Sequence, residues 1–209
     1  MNGTAYPVNL TIDYPEGKLS RLTTFFRALA IIPIAIILGL VSNWNLSFGT
    51  TDWVINYTAP GGFLMAAPAL MILFRKKYPR WWFDWNLALA RFSARVFAYF
   101  ALLRDEYPST DEEQAVHLEI AYPDAQRELN RFLPLVKWLL ALPHYIVLYI
   151  LILVGCFITV LAWFAILITG RYPRSWFNLV VGIYRWYLRV LSYTSLMVTD
   201  RYPPFSLRA

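Results

Sequence analysis

Four segments of this 209-residue chain recur later in the sequence in the same order. The matched pairs are VNLTIDYP (8–15) with VHLEIAYP (116–123), RLTTFFRALAIIP (21–33) with RFLPLVKWLLALP (131–143), KYPRWWFDWNLALARFSARVFAY (77–99) with RYPRSWFNLVVGIYRWYLRVLSY (171–193), and DEYPS (105–109) with DRYPP (200–204). Self-similarity of this kind is the sequence signature of a repeat architecture. The recurrence therefore predicts two tandem modules of similar structure, Met1–Asp111 and Glu112–Ala209.

The composition predicts a membrane protein. Hydrophobic residues make up 58% of the chain and charged residues 15%, against about 45–50% and about 25% in soluble domains. The formal net charge of +6 suits either nucleic acid or the anionic inner leaflet of a membrane. Because the basic residues stand beside long apolar runs, and no helix-turn-helix, zinc-finger or RNA-binding pattern is present, we expect anionic lipid and no nucleic acid as partner.

Each module opens with a predicted β-strand. Apolar residues alternate with polar ones in VNLTIDY and in VHLEIAY, which is the period-two pattern of a half-buried strand. Each run ends at Tyr-Pro, and proline cannot donate to a strand ladder. Because an isolated strand is unstable, we expect Val8–Tyr14 and Val116–Tyr122 to lie side by side, the alternative being the edge of a partner protein.

A transmembrane helical hairpin is predicted next in each module. In the first module, two apolar runs flank a polar segment at 42–60 that lacks Lys and Arg. In the second, the apolar stretch of about 132–169 fits two crossings tightly, because one crossing needs about 20 residues; a short or re-entrant hairpin turning near Gly155 is therefore expected. Pro33 and Pro143 occupy matching positions and should kink the first helix of each pair.

An amphipathic helix is predicted to follow each hairpin. The polar stripes at helical spacing are Asp84, Arg91 and Arg95 in the first module and Asn178, Arg185 and Arg189 in the second. Tryptophan clusters beside such stripes suit a helix lying in the headgroup plane. A third crossing is the alternative, because about 23 residues are long enough to span.

Basic residues and tryptophans around these helices are the candidate lipid contacts. Arginine forks suit phosphate, and helix starts add backbone donors. The candidate headgroup contacts are Arg75, Lys76, Lys77, Arg80, Arg91, Arg95, Arg171, Arg174, Arg185 and Arg189. The candidate interfacial anchors are Trp81, Trp82, Trp85 and Trp176. Plain positive-inside anchoring is the alternative explanation of the same residues.

The positions of the basic residues also predict an orientation. Lys and Arg flank both ends of both hairpins, and cytoplasmic segments are the ones enriched in these residues. We therefore expect a multi-pass protein with both termini and the linker Asp105–Glu113 in the cytoplasm. The basic-free segment Asn43–Pro60 is expected on the opposite side.

No catalytic centre, metal site or cofactor site is predicted. The sequence has no Ser/His/Asp set, phosphate-binding glycine loop or paired carboxylates in an apolar segment. The single Cys156 excludes an internal disulfide and a CxxC metal site, and neither His117 nor His144 has Asp, Glu or Cys nearby at ligand spacing. One alternative stays open, an ion pair of Asp84 with Arg91 that marks a polar pathway.

The segments YPVNLTIDYP, LPLVKWLLALPHYIVL and TDRYPPFSL resemble the bacterial membrane proteins grouped as DUF4389, a domain of unknown function. The resemblance covers nearly the whole chain, and LPHYIVL and DRYPPFSL are its most specific parts. The first module departs from it, since IIPIAIIL stands where LPHYIVLY stands in the second. The resemblance implies a location in the bacterial cytoplasmic membrane, and it implies no activity, cofactor or functional residue.

The predicted fold is thus a mainly α membrane protein of two repeats, each with a strand, a helical hairpin and an interfacial helix. One function that fits is a non-catalytic accessory or scaffold subunit, which offers its cytoplasmic strands and its aromatic and basic helices to other membrane subunits. The other is a small transporter or lipid-handling protein with a site between the repeats, since transporters often carry internal repeats. The apolar runs lack mid-membrane polar groups, which favours the accessory interpretation.

Overall fold

The computed structural model describes residues 6–42, 66–112 and 114–208. Within these ranges it is mainly helical, with seven α-helices and one pair of β-strands. The elements in chain order are β1 (Val8–Ile12), α1 (Arg21–Ala30), α2 (Ile32–Ser42), α3 (Ala66–Arg75), α4 (Arg80–Phe100), β2 (Val116–Ile120), α5 (Leu133–Leu140), α6 (Leu142–Thr169) and α7 (Arg174–Thr194). The segment Asn43–Pro60, expected on the far side of a membrane, lies outside the described residues.

β1 and β2 pair antiparallel, with Leu10 opposite Leu118 at the centre. Burial alternates along both strands, as the period-two pattern requires. The apolar face packs in one core with residues of α4 and α7 that include Ala94 and Val181, whereas the opposite face is polar and exposed. The predicted side-by-side pairing of the two strands is confirmed.

Both proline positions interrupt their helices as predicted. α1 and α2 meet at Ile31 with a bend of 42°, and α5 and α6 are separated at Ala141. Pro33 and Pro143 each lie two residues beyond the break. Because proline has no N–H to continue the helical ladder, the break falls in the turn that precedes it.

The hairpin predicted in the second module is wrong. α6 is a single continuous helix of 28 residues, and Gly155 lies in its interior. A Cβ at that position would lie 3.4 Å from Ile183 Cδ1 of α7, so the glycine provides close helix packing and makes no turn. The stretch carries no proline or charge after Pro143 that would stop a helix, which explains its continuity.

α7 runs back along α6 as an antiparallel partner. Only residues 170–173 connect them, and Gly170 takes the left-handed conformation (φ 73°) that ends α6. Near the start of α6, Trp186 Nε1 donates to His144 Nδ1 over 3.1 Å, while the middle of α6 faces Ile183. The sheet, α7 with α4, and α6 therefore form successive layers.

One helix of the described chain, α6, is long and apolar enough to cross a membrane. The count becomes two if the bent pair of α1 and α2 is taken as one span. α4 and α7 form as helices where amphipathic helices were predicted, and neither qualifies as a candidate span. These findings indicate membrane association at the coarse level of length and composition.

Candidate functional site: an apolar cavity between three helices

A cavity of about 510 Å³ lies between α4, α6 and α7, with Leu38 of α2 at its margin. This volume falls within the range of about 300–1,000 Å³ that is usual for small-molecule pockets. The cavity is bounded almost entirely by aliphatic and aromatic side chains. Its composition suits an apolar ligand.

Helical periodicity places one stripe of α4 along the cavity. Asn86, Ala90, Ser93 and Phe97 all line it, and their spacing of four, three and four residues keeps them on one helix face. Ala90 and Ser93 are small, as is Gly155 on the α6 side. These short side chains leave the space that larger residues would fill.

The polar side chains at the cavity wall bond to their own helices. Asn86 Nδ2 donates to the Trp82 carbonyl over 2.7 Å, and Ser93 Oγ donates to the Leu89 carbonyl over 2.8 Å. Thr159 Oγ1 does the same to the Gly155 carbonyl over 2.9 Å. Since each bond runs to the residue four positions earlier, these donors are occupied within the turn, and the wall they form is mainly apolar.

The Tyr184 hydroxyl has no such bond. Its ring stacks on Phe97 with centroids 3.8 Å apart, closing one wall between α4 and α7. The hydroxyl has no hydrogen-bond partner in the part of the chain that the structure describes. Burial raises the pKa of this phenol well above its ordinary value, so the group stays protonated and can donate one hydrogen bond.

The cavity lies at the middle of α6. Its α6 lining runs from Ile152 to Val160 and includes Cys156, close to the centre of the 28-residue helix. The flanks of the same helix expose large apolar side chains, among them Ile146 and Phe164. The cavity therefore adjoins the most apolar surface of the molecule.

The sequence-predicted lipid contacts do not converge on this cavity. Exposed on the surface are Arg75, Lys77, Arg80, Arg91, Arg171 and Arg174, with Trp81 and Trp85. Half-buried are Lys76, Arg185 and Trp176. Buried are Arg95, Arg189 and Trp82. Headgroup contact stays a prediction, and the exposed cations Arg75, Lys77, Arg80, Arg171 and Arg174 are the ones placed to make it.

The arginine stripes hold the sheet in place. Arg91 Nε donates to the Leu118 carbonyl over 3.0 Å, and Arg185 donates to the Leu10 carbonyl through Nε at 3.0 Å and Nη2 at 2.9 Å. Burial lowers the pKa of Arg185 below its ordinary value, although a guanidinium remains charged at neutral pH. Each strand therefore has its central main-chain carbonyl bonded to a helix of the other half of the chain.

The proposed ion pair between Asp84 and Arg91 is not formed. Asp84 instead lies 3.7 Å from Arg80, and both side chains are exposed. His117 lies 3.5 Å from Asp13 on the polar face of the sheet. Among the described residues, no group of three or more His, Cys, Asp or Glu side chains is placed to hold a metal ion.

Two ion pairs with buried cations are not predicted by the sequence patterns above. Arg27 pairs with Asp105, and Lys137 Nζ lies 2.7 Å from Asp200 Oδ1. Both cations and both carboxylates stand at matching places within the recurring segments. Their equivalent positions in the repeats are the sequence feature that points to these pairs. Only the fold shows that each cation lies beside a carboxylate more than 60 residues away.

A comparison with protein-family models matches residues 134–206, about a third of the chain, to DUF4389, a domain of unknown function. Neither the curated proteins nor the solved structures yielded a match. The matched range contains most of α5, all of α6 and α7, and Asp200, so the family resemblance is supported for the second half of the chain.

Proposed function

We propose that this protein is a membrane-associated lipid-handling protein whose cavity between α4, α6 and α7 binds a hydrocarbon chain. The observation that supports this most directly is the position of the cavity at the middle of α6. That helix is apolar throughout and exposes one face. A cavity bordering such a surface in a membrane has lipid hydrocarbon as its immediate neighbour.

The chemistry of the wall favours a lipid over a polar solute. Ser93 and Thr159 have their hydroxyl donors occupied by main-chain carbonyls, and Asn86 has one of its two amide N–H groups occupied in the same way. A polar solute would therefore recover few of the hydrogen bonds that it loses to water. An alkyl chain gains from burial by about 0.8 kcal/mol for each CH₂ group. The Tyr184 hydroxyl offers one donor, which favours an acyl chain with a carbonyl oxygen.

The location we propose is the bacterial cytoplasmic membrane, with both chain termini on the cytoplasmic side. The exposed cations Arg75, Lys77, Arg80, Arg171 and Arg174 then contact anionic headgroups. We further propose that the two halves arose by tandem duplication. Repeated contacts support it: Tyr14 donates to the Tyr172 carbonyl over 2.5 Å and Tyr122 to the Tyr78 carbonyl over 2.6 Å.

Blocking the cavity tests the lipid-binding proposal. The probe is a fatty acid with a photoreactive diazirine in its chain, added to the detergent-purified protein. Ala90→Trp places an indole in the cavity, whereas Ala88→Trp adds the same group on the exposed face of α4. We expect covalent labelling of the wild type and of Ala88→Trp, and a loss of at least about fivefold in Ala90→Trp. Equal labelling of both variants would reject the proposal.

An accessory-subunit role is the second candidate, and the polar face of the sheet supports it. Asn9, Thr11 and Glu119 are exposed there, while Arg91 and Arg185 occupy the central outward carbonyls of the strands. A partner would therefore meet side chains of this face and would not add a strand. Co-purification in mild detergent with a specific membrane subunit, lost on Glu119→Arg, would favour this role.

A further inference from the structure

We propose that the protein sits side-on in one leaflet of a bilayer, with the outer faces of α1, α2, α5 and α6 in the hydrocarbon and the sheet in water. We call this surface the apolar seat; its representative residues are Leu22, Phe26, Ile36, Leu135, Phe157 and Phe164. The proposal goes beyond the cavity and does not depend on what the cavity binds.

The apolar seat is formed by large side chains that the rest of the described chain leaves uncovered. Phe157 and Ile168 on α6 are 65% and 73% exposed, and Leu22 on α1 is 70% exposed. Isolated exposed apolar residues are ordinary in proteins, whereas a contiguous patch marks an interaction surface. Four helices from the two halves of the chain, α1, α2, α5 and α6, contribute to this patch, and α6 contacts both α1 and α5.

The length of α6 fits a side-on position better than an upright one. Its 28 residues extend about 42 Å at about 1.5 Å per residue. The hydrocarbon core of a bilayer is about 30 Å thick. A helix lying in the plane of one leaflet has no such length limit, so its whole outer face can contact lipid.

The position of the sheet decides against an upright α6. Ile183 of α7 faces the middle of α6, and Arg185, two residues later, bonds to Leu10 of β1. The sheet therefore lies beside the middle of α6, with Asn9 and Glu119 exposed on its outer face. An upright α6 would hold these polar groups at the bilayer midplane, where hydrocarbon cannot satisfy them.

The charge distribution fits contact with a single anionic membrane surface. α6 carries no charged residue, while exposed cations stand next to the ends of the seat helices: Arg21 at the start of α1, Arg131 before α5 and Arg171 after α6. Headgroups surrounding a side-on molecule would meet these cations. The acidic residues Asp13 and Glu119 lie on the sheet, away from the seat.

Depth measurements along α6 test the proposal. Single spin labels at Ile146→Cys, Phe157→Cys and Ile168→Cys, in a Cys156→Ser background, are placed 11 residues apart on one exposed face. The protein is reconstituted in vesicles of phosphatidylcholine with phosphatidylglycerol, and depth is read from collisions with oxygen and with a water-soluble nickel complex. We expect all three labels at one depth.

An upright helix gives a different pattern, in which the middle label lies about 16 Å deeper than the end labels; that result would overturn the proposal. Strong dipolar coupling between labels of different molecules would overturn it too, because it would assign the seat to a second copy of this chain. A label at Glu119→Cys on the sheet is the control and should be accessible to nickel. Since the labelled positions are exposed and lie outside the cavity lining, fatty-acid labelling of each variant should equal that of the Cys156→Ser background, so the two proposals can fail separately.

Discussion

The two halves of the molecule agree in their framework and differ in the layer that bears the apolar seat. In the framework, β1 bonds to Arg185 of α7 and β2 bonds to Arg91 of α4. In the seat layer, the second half has the 28-residue helix α6, whereas the first half has the 11-residue helix α2. Framework contacts cross between the halves, so a change in one half must suit the other. A face that meets only lipid has no such partner, which allows the halves to diverge there.

The same comparison applies to the two buried ion pairs. Arg27 and Asp105 are supported by further bonds from Arg27 to the carbonyls of Tyr99 and Arg104, at 2.9 and 2.8 Å. Lys137 has one such carbonyl, that of Thr199 at 2.7 Å, and its side chain is 0% exposed. The lysine therefore depends more heavily on its carboxylate than the arginine does.

The largest expected effect follows from removing each carboxylate in turn. Asp200→Asn should lower the free energy of unfolding by about 3 kcal/mol, because losing one partner of a buried pair leaves an uncompensated charge. Asp105→Asn should lower the free energy of unfolding by less, because the Arg27 guanidinium keeps its hydrogen bonds to two main-chain carbonyls. Chemical unfolding of the purified variants in one detergent measures both. A larger loss for Asp105→Asn would show that the comparison is wrong.

The pH dependence of the stability of Asp200→Asn provides a second test of the same comparison. Burial already lowers the pKa of Lys137, an effect that Asp200 opposes, so Asp200→Asn should lower that pKa further. The unfolded chain then holds the proton at pH values where the folded chain has released it. Stability of Asp200→Asn should consequently rise with pH from the lowered folded pKa up to the ordinary lysine value.

A smaller effect is expected at the strands. Arg185 makes three bonds to the carbonyls of Leu10 and Leu207, whereas the exposed Arg91 makes one, to Leu118. Arg185→Met should cost about 2 kcal/mol, as is usual for hydrogen bonds from a charged group, and Arg91→Met well under 1 kcal/mol. Amide hydrogen exchange of the two strands, compared between the variants, would locate the loss. Equal protection of both strands in both variants is the contrary result.

The smallest expected effect concerns a place where the halves differ in charge. Glu106 stands where Arg201 stands in the second half, and its bond to Arg104 lowers the carboxyl pKa below the ordinary 4.5. The stabilisation is present above that value and is lost as pH falls through the lowered pKa. Because the side chain is 42% exposed, the contribution is below about 1 kcal/mol. Wild type and Glu106→Gln should therefore differ in melting temperature at pH 7 and coincide at low pH.

The sequence predicts the local elements of this fold well and its layers poorly. The alternation of apolar and polar residues in a strand, and the prolines Pro33 and Pro143, affect only the structure of nearby residues. Their effects can therefore be inferred from the local sequence. The continuity of α6 could not be inferred, because Gly155 is equally compatible with a turn and with close packing, and only Ile183 decides between them. Whether a segment forms a helix depends mainly on its own residues, whereas what that helix packs against depends on residues far away in the sequence.

The candidate site shows the same limit. An arginine stripe on α4 or α7 has the same periodicity whether it faces headgroups or the carbonyls of a strand. The sequence therefore does not reveal that Arg91 and Arg185 bond to strand carbonyls. The cavity is formed by three helices that the fold brings together, and the small residues Ala90 and Ser93 carry no distinctive signal. Asp105 and Asp200 recur visibly, but their cations lie in other recurring segments.

The bond between Arg185 and Leu10 joins residues 175 positions apart. It can therefore form only late in the synthesis of the chain. β1 leaves the ribosome before its strand partner β2, and well before Arg185 of α7, whose guanidinium bonds its central outward carbonyl. Until then β1 presents an unpaired edge, which is a template for joining strands of other chains. A chain that terminates before α7 would keep that edge permanently, so nascent and truncated forms should require chaperone protection that the finished molecule does not.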